Sequence, residues 1–88
     1  MSKLILLVDD EESIMICLCG ILEDECYQVL HAENGADALD LIREEVPDMV
    51  LLDIWMPGMD GIQTLDRIRN LFPDLTVVMM SGHGTIET

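Results

Sequence analysis

Residues 48–61 of the 88-residue chain, Asp-Met-Val-Leu-Leu-Asp-Ile-Trp-Met-Pro-Gly-Met-Asp-Gly, decide its fold class. The apolar run Met49 to Leu52 lies between two aspartates and has the length and composition of a strand buried on both faces of a parallel sheet. The residues that follow are rich in Pro and Gly, which indicates a turn. We therefore expect a buried strand that ends at Asp53 and leads into an irregular loop.

Apolar runs and amphipathic segments alternate along the rest of the chain. Further strands are predicted at Leu4 to Val8, Tyr27 to Ala32 and Leu75 to Met80. Helices are predicted from Glu12 through the apolar run Ile14 to Leu22, from Ala36 to Val46 before Pro47, and from Ile62 to Phe72 before Pro73. This alternation predicts an α/β fold with a parallel sheet between helix layers. The first helix is apolar all round, and we expect it to be covered on more than one side.

The charge balance excludes several functions. Eighteen Asp and Glu face four Lys and Arg, giving a net charge of −14, which repels nucleic-acid phosphates and anionic lipids. We expect no direct nucleic-acid binding by this segment and no membrane contact, since no apolar run approaches the length of a membrane span. Three cysteines and no apolar leader predict reduced thiols and a cytoplasmic location, with Cys17 and Cys19 packed in the core.

Polar residues follow the predicted strands at the edge where parallel sheets bind ligands: Asp9, Asp10, Asp53 and Ser81. Two carboxylates ~4 Å apart repel by about 4 kcal/mol at an effective dielectric near 20, so a divalent cation would stabilise the group. Oxygen-only ligands favour Mg²⁺. The alternative is that the first two aspartates only cap a helix and Asp53 only begins a turn.

Three segments taken together resemble the receiver domain of two-component response regulators: Val8 to Glu11, Leu51 to Gly61 and Met79 to Gly84. The resemblance implies a flavodoxin-like three-layer sandwich with strand order 2-1-3-4. It also implies that residues 1–88 form one receiver domain that is incomplete at its C-terminus, because receivers continue through a fifth strand and a fifth helix. The ending Ser81 to Thr88 is similar to receivers of sigma-54-dependent activators of the nitrogen-regulation type, which implies a transcriptional output domain on the same full-length chain.

The resemblance also implies a role for each residue of the site. Asp53 is the expected phosphoacceptor, taking a phosphoryl group from a phosphohistidine on a sensor histidine kinase. Asp10 is expected to bind Mg²⁺ directly and Asp9 partly through water, with Mn²⁺ as the alternative ion. The backbone carbonyl of Trp55 would complete the protein ligands. Ser81 is expected to bond the phosphoryl group and to pass the conformational change onward.

Two loop residues are candidates for a modulatory role. Trp55 and His83 each lie two residues beyond a predicted site residue, at positions that flank the phosphoryl group in this family. The hypothesis for Trp55 is that its indole restricts water access and prolongs the phosphorylated state. The alternative for both residues is an ordinary place on the surface of a loop.

Two other functions compete with a phosphorylated signalling module. One is a Mg²⁺-dependent phosphohydrolase with Asp53 as nucleophile, but haloacid-dehalogenase-like enzymes carry a second Asp where this chain has Trp55. The other is a pseudo-receiver that binds partners without phosphate; it disagrees with the intact Asp9, Asp10, Asp53 and Ser81. We expect no enzyme activity beyond phosphorylation and dephosphorylation of the chain itself. Without the fifth strand and the fifth helix, an edge of the fourth strand and one face of the first helix would be left open, which predicts self-association.

Overall fold

A computed structural model describes residues 3–53 and 61–80 of the chain. Strands and helices alternate along these residues, as the sequence predicts. The strands are β1 (Leu4–Val8), β2 (Gln28–Ala32), β3 (Met49–Asp53) and β4 (Thr76–Met80). The helices are α1 (Glu12–Asp24), α2 (Gly35–Glu45) and α3 (Gly61–Leu71). Each element lies within a few residues of its predicted position.

The described strands form one parallel sheet in the order β2-β1-β3-β4. β1 is central and pairs in parallel with both β2 and β3, and β3 pairs in parallel with β4. This arrangement confirms the α/β class and the order 2-1-3-4. Helical crossovers connect the strands, because a parallel neighbour can be reached only by carrying the chain back along the sheet.

The two inner strands, β1 and β3, are covered on both faces of the sheet, as their continuous apolar runs predict, whereas Val78 of the edge strand β4 is 43% exposed. Alternate residues of β1 point to opposite faces, so Leu6 and Val8 pack toward α2 and α3, whereas Ile5 and Leu7 pack toward α1. β3 alternates in the same way, with Val50 and Leu52 fully buried on the α2 and α3 side. The result is the expected three-layer arrangement.

Helix α1 departs from the prediction that it is covered on more than one side. Met15 is its buried residue, whereas Ile16 is 67% and Ile21 55% exposed. Cys19 is half-buried against the sheet, but Cys17 is exposed, so the prediction of a core role for Cys17 is wrong. A helix that is apolar all round does not reveal from its sequence which side meets the sheet.

Among the described residues, no helix is both long and apolar enough to cross a membrane.

Helix α1 ends in a turn that is usually built around glycine. The backbone N–H of Tyr27 donates to the carbonyl of Leu22, and that of Cys26 donates to the carbonyl of Glu23. These two bonds define a Schellman motif, whose residue after the cap adopts the left-handed conformation. Cys26 occupies that position with φ of 71°. Its Cβ therefore lies in a region where side chains crowd the backbone.

We expect Cys26→Gly to raise the free energy of unfolding by about 0.5–1 kcal/mol. The left-handed penalty of about 1–2 kcal/mol is relieved, while the greater freedom of glycine in the unfolded chain offsets part of the gain. Urea denaturation measures the change. Cys26→Ala is the matched control, since it also removes the thiol but keeps Cβ, and it should not stabilise the protein. Equal effects of the two substitutions would contradict the backbone explanation.

Candidate functional site

The register of β1 and β3 places two of the predicted site residues, Asp9 and Asp53, beside each other. Val8 of β1 pairs with Leu52 of β3, so Asp9 and Asp53 come next at neighbouring strand ends. Both side chains are almost completely buried, Asp9 with 1% and Asp53 with 0% of its surface exposed. Asp10 follows on the exposed side of the same edge. The sheet therefore brings these three predicted residues together, although they come from two distant parts of the sequence.

Backbone hydrogen bonds hold Asp9 in place. Its own N–H donates to the carbonyl of Ala32 at 3.1 Å, which ties it to the end of β2. Its Oδ1 accepts a hydrogen bond of 2.9 Å from the N–H of Glu11 as the chain turns into α1. The other oxygen, Oδ2, is buried and has no hydrogen-bond partner among the described residues. A buried carboxylate oxygen without a donor is costly, and a cation would stabilise it.

Burial and neighbouring charge disfavour the ionised form of Asp9. The pKa of its carboxyl is raised from 3.8 to about 6, and burial is the largest cause. The nearby carboxyls of Asp53 and Asp10 contribute to this rise, whereas the hydrogen bond from Glu11 acts in the opposite direction. The site thus holds more negative charge than its own donors can stabilise.

The geometry suits a small divalent cation. Asp9, Asp10 and Asp53 each have one carboxylate oxygen that lies within 4.8 Å of the corresponding oxygen of the other two. Oxygens on opposite sides of a bound Mg²⁺ are about 4.2 Å apart, so only a small inward shift is needed. At a separation of about 5 Å and an effective dielectric near 20, each pair of charges repels by roughly 3 kcal/mol. The donor set, the unpaired Oδ2 and this repulsion all fit Mg²⁺.

The remaining predicted site residues, Trp55, Ser81 and His83, lie outside the described residues. The end of β4 is nevertheless described, and Met80 pairs with Asp53.

Sequence analysis missed the two backbone groups that position Asp9, the N–H of Glu11 and the carbonyl of Ala32. No signal in the side-chain pattern could have identified them, because every non-proline residue carries the same donor and acceptor.

Comparison with known proteins identifies the family to which this fold belongs. The family profile of the response regulator receiver domain matches residues 5–88. The chain belongs to this family. It is therefore the receiver region of a two-component response regulator, a signalling module rather than a classical enzyme.

Two relatives show the range of proteins in which similar receivers occur. Sporulation initiation phosphotransferase F of Bacillus subtilis is 41% identical over 87 residues, covering 99% of this chain and 70% of that protein. Nitrogen assimilation regulatory protein NtrX of Azorhizobium caulinodans is 46% identical over 90 residues, covering 100% of this chain but 20% of that protein. This receiver thus matches most of the shorter relative and about a fifth of the longer one.

A solved structure matches the receiver as a whole. The response regulator protein TrrA, in a complex with the histidine kinase ThkA, superposes with a TM-score of 0.87 and 35% identity. The match covers 98% of this chain and 74% of that one. The order of the strands in this receiver is therefore that of a known response regulator.

In metal-free protein, we expect Asp9→Asn to raise the midpoint of thermal unfolding above pH 6. The folded protein retains the Asp9 proton between pH 3.8 and about 6, where the unfolded chain has lost it, so the wild type loses stability as pH rises through this window. The asparagine cannot ionise, and its carbonyl can still accept the Glu11 hydrogen bond. The advantage of the variant should grow from about pH 4 to about pH 6 and then level off. Thermal melts in EDTA measure it.

Asp66→Asn is the matched control for this effect. Asp66 is exposed on α3, so the same change of charge there should alter the midpoint of thermal unfolding by less than Asp9→Asn does. A stability gain that is equal for the two variants would show that general charge repulsion, not the buried site, is responsible.

Proposed function

We propose that Asp53 accepts a phosphoryl group from a phosphohistidine on a sensor histidine kinase. The observation that carries the proposal is the buried Asp9 and Asp53 pair at neighbouring strand ends, with Asp10 close by. Converging carboxylates repel one another, and a bound Mg²⁺ would offset that repulsion and suit the group to phosphoryl transfer. The solved complex of a related response regulator with a histidine kinase supports the choice of donor.

The proposed reaction uses Asp53 as a nucleophile. A carboxylate oxygen of Asp53 forms a bond to phosphorus while the bond from phosphorus to the imidazole nitrogen breaks. The electron pair of that bond returns to the imidazole ring, and Asp53 becomes an acyl phosphate. Hydrolysis of this acyl phosphate restores the carboxylate. The chain is thus its own substrate, and we propose no turnover of an external phosphate ester.

The proposed metal ligands are Asp10, bound directly, Asp9, partly through water, Asp53 and the backbone carbonyl of Trp55. Bound Mg²⁺ supplies charge neutralisation for the phosphoryl oxygens, and Mn²⁺ has the same ligand preferences. The role of Asp9 is supported by its unpaired Oδ2, which the Glu11 hydrogen bond on Oδ1 holds in a fixed orientation. Repulsion between these carboxylates lowers the stability of the folded protein, and a bound cation would offset this loss.

The proposed switch begins at Ser81, directly after β4 in the sequence. Its hydroxyl would donate a hydrogen bond to a phosphoryl oxygen, since Met80 pairs with the residue that carries the phosphoryl group. Trp55 is proposed to limit water access to the acyl phosphate, and His83 to flank the same group. These assignments rest on the family resemblance and on positions in the sequence.

The output is proposed to be transcriptional. NtrX of Azorhizobium caulinodans is named a nitrogen assimilation regulatory protein and is about five times as long as the matching region. A receiver of this type would regulate an output domain on the same full-length chain, of the sigma-54-dependent kind. The acidic composition agrees with a cytoplasmic module that leaves nucleic-acid contact to another domain.

Magnesium binding should be visible in the fluorescence of Trp55, the single tryptophan, two residues after Asp53. We expect Mg²⁺ titration to change the emission, and Asp10→Asn to weaken the apparent affinity by about tenfold or more, because it removes a charged ligand. Asp66→Asn, on α3, should leave the affinity within about twofold of wild type. Unchanged affinity in Asp10→Asn would contradict the metal assignment.

Phosphorylation should depend on Asp53. With acetyl phosphate and Mg²⁺, we expect intact mass spectrometry to detect one added phosphoryl group, which is absent in Asp53→Asn and in EDTA. Asp66→Asn should be modified like wild type, since it preserves the site. A phosphoryl group that persists in Asp53→Asn would refute the proposed acceptor, and sustained hydrolysis of an external phosphate ester would instead support the phosphohydrolase.

A further inference from the structure

A cavity of about 430 Å³ lies between the C-terminal ends of α2 and α3, at the edge of the sheet opposite the acidic site. The turn from α2 into β3 forms one side of it, and the turn from α3 into β4 forms the other. Asp48 lines this cavity and directly precedes β3, whereas Asp53 ends that strand. At about 3.3 Å per residue the two aspartates are about 16 Å apart, so the α2–α3 cavity is separate from the proposed metal site.

Apolar side chains make up most of the cavity wall. Ile42 of α2 is almost fully buried, and Phe72 and Leu75 pack partly buried against the same core. The turns on the two sides contribute Pro47 and Pro73. Small-molecule sites are typically apolar concavities of about 300–1,000 Å³, so the volume and the wall both suit a small ligand.

Backbone hydrogen bonds hold both turns in place. In the turn before β4, the N–H of Leu75 donates to the carbonyl of Phe72 at 3.1 Å. In the turn before β3, the N–H of Asp48 donates to the carbonyl of Leu4 at 2.7 Å, and Oδ2 of Asp48 accepts from the N–H of Leu4 at 2.7 Å. A ligand that enters a cavity with fixed walls loses little binding free energy to ordering of the protein.

The charge around the cavity is negative. Asp48 and Asp74 line it, and no Lys, Arg or His does so among the described residues. Helix C-termini carry partial negative charge on their unpaired carbonyls, and the ends of α2 and α3 both lie here. Arg43 and Arg69 belong to the last turns of these helices but do not line the cavity. A positively charged ligand is therefore favoured.

Val46 forms an exposed apolar rim on this cavity. Its surface is 72% exposed, and its φ of 46° is left-handed, which is rare for a β-branched residue. Glycine would suit the backbone at this position and a polar residue would suit the solvent. Neither local conformation nor burial therefore accounts for the valine, whereas a ligand in the cavity would cover its side chain.

We propose that the α2–α3 cavity binds a small arylalkylamine, with the ammonium group beside Asp48 and Asp74 and the aromatic ring against Phe72. A second copy of the chain is a poorer occupant, because it would bring a net charge of −14 to an acidic cavity. The cavity shares no residue with the proposed phosphoryl transfer. Failure of either proposal therefore leaves the other standing.

The test adds 2-phenylethylamine, which is protonated at neutral pH, to the 88-residue chain and records two-dimensional amide NMR spectra. We expect saturable shifts at the amides of Val46, Asp48 and Leu75, with a dissociation constant of about 1 mM for a ligand of this size. The amide of Glu11, beside the acidic site, should not shift.

Two control compounds separate the contributions of charge and ring. 2-Phenylethanol has the ring without the charge, and ethylamine has the charge without the ring. Each should bind about fivefold to tenfold more weakly than 2-phenylethylamine. Equal affinity for ethylamine would show only general attraction of cations to an acidic protein and would overturn the proposal, as would shifts confined to the acidic site.

Asp48→Asn/Asp74→Asn tests the charge of the cavity. Asparagine at position 48 can still accept the hydrogen bond from Leu4. The double variant should weaken binding of 2-phenylethylamine by about fivefold and change that of 2-phenylethanol by less than about twofold. Glu23→Gln/Asp66→Asn removes the same charge from exposed positions outside the cavity and should alter both affinities by less than about twofold. Equal losses in the two double variants would contradict the assigned site.

Val46→Gly and Phe72→Leu test the apolar wall. Glycine adopts the left-handed backbone without strain, so the first variant should keep the fold, which circular dichroism checks. Each variant should weaken binding of both 2-phenylethylamine and 2-phenylethanol by about threefold, because apolar contact is lost. Leu71→Ala trims a half-exposed side chain that does not line the cavity and should bind like wild type. Full affinity in both wall variants would overturn the proposal.

Discussion

Pairing of β1 with β3 in register is the constraint on which the site depends. Because Val8 lies opposite Leu52, the chain leaves both strands at the same level and sets Asp9 beside Asp53. A slip of one residue would turn one of these side chains to the other face of the sheet. The same apolar burial that fixes the register therefore fixes the distance between the carboxylates.

The cost of this arrangement is electrostatic. Core formation removes water from Asp9 and leaves its Oδ2 without a hydrogen bond among the described residues. This burial is the largest cause of the rise in the pKa of its carboxyl to about 6. The fold tolerates that cost because cohesive packing on both sheet faces holds the strands in place. A cation that bound only the folded state would offset this cost and stabilise the protein.

The negative charge is unevenly distributed around this centre. Residues 4–42 contain ten Asp and Glu and no Lys or Arg, whereas Arg67 and Arg69 both lie on α3. Asp9, Asp10 and Asp53 each have a carboxylate oxygen within 4.8 Å of one from the other two. Acidic groups that converge in this way suit a small cation.

Side-chain type and periodicity made much of the fold predictable. The apolar run from Leu4 to Val8 predicted a strand buried on both faces, and Asp53 was expected at a strand end because it terminates such a run. The order 2-1-3-4 came from the resemblance to receivers, since alternation of strands and helices predicts a parallel sheet but does not specify which strands are neighbours. The uniform apolarity of α1 gave the wrong expectation of its burial, because periodicity cannot orient a helix that has no polar face.

The sequence by itself determined the elements, the acidic character and the candidate residues for the chemistry. Tertiary structure alone decided which residues from distant parts of the chain meet: Asp9 beside Asp53, the N–H of Asp9 on the carbonyl of Ala32, and Met15 as the residue of α1 that is buried against the sheet. The reason is that residue type and spacing are local properties of the chain. Neighbouring strand ends, hydrogen bonds between strands and the buried side of a helix instead depend on the register of strands and the packing of helices, which form only when distant segments come together.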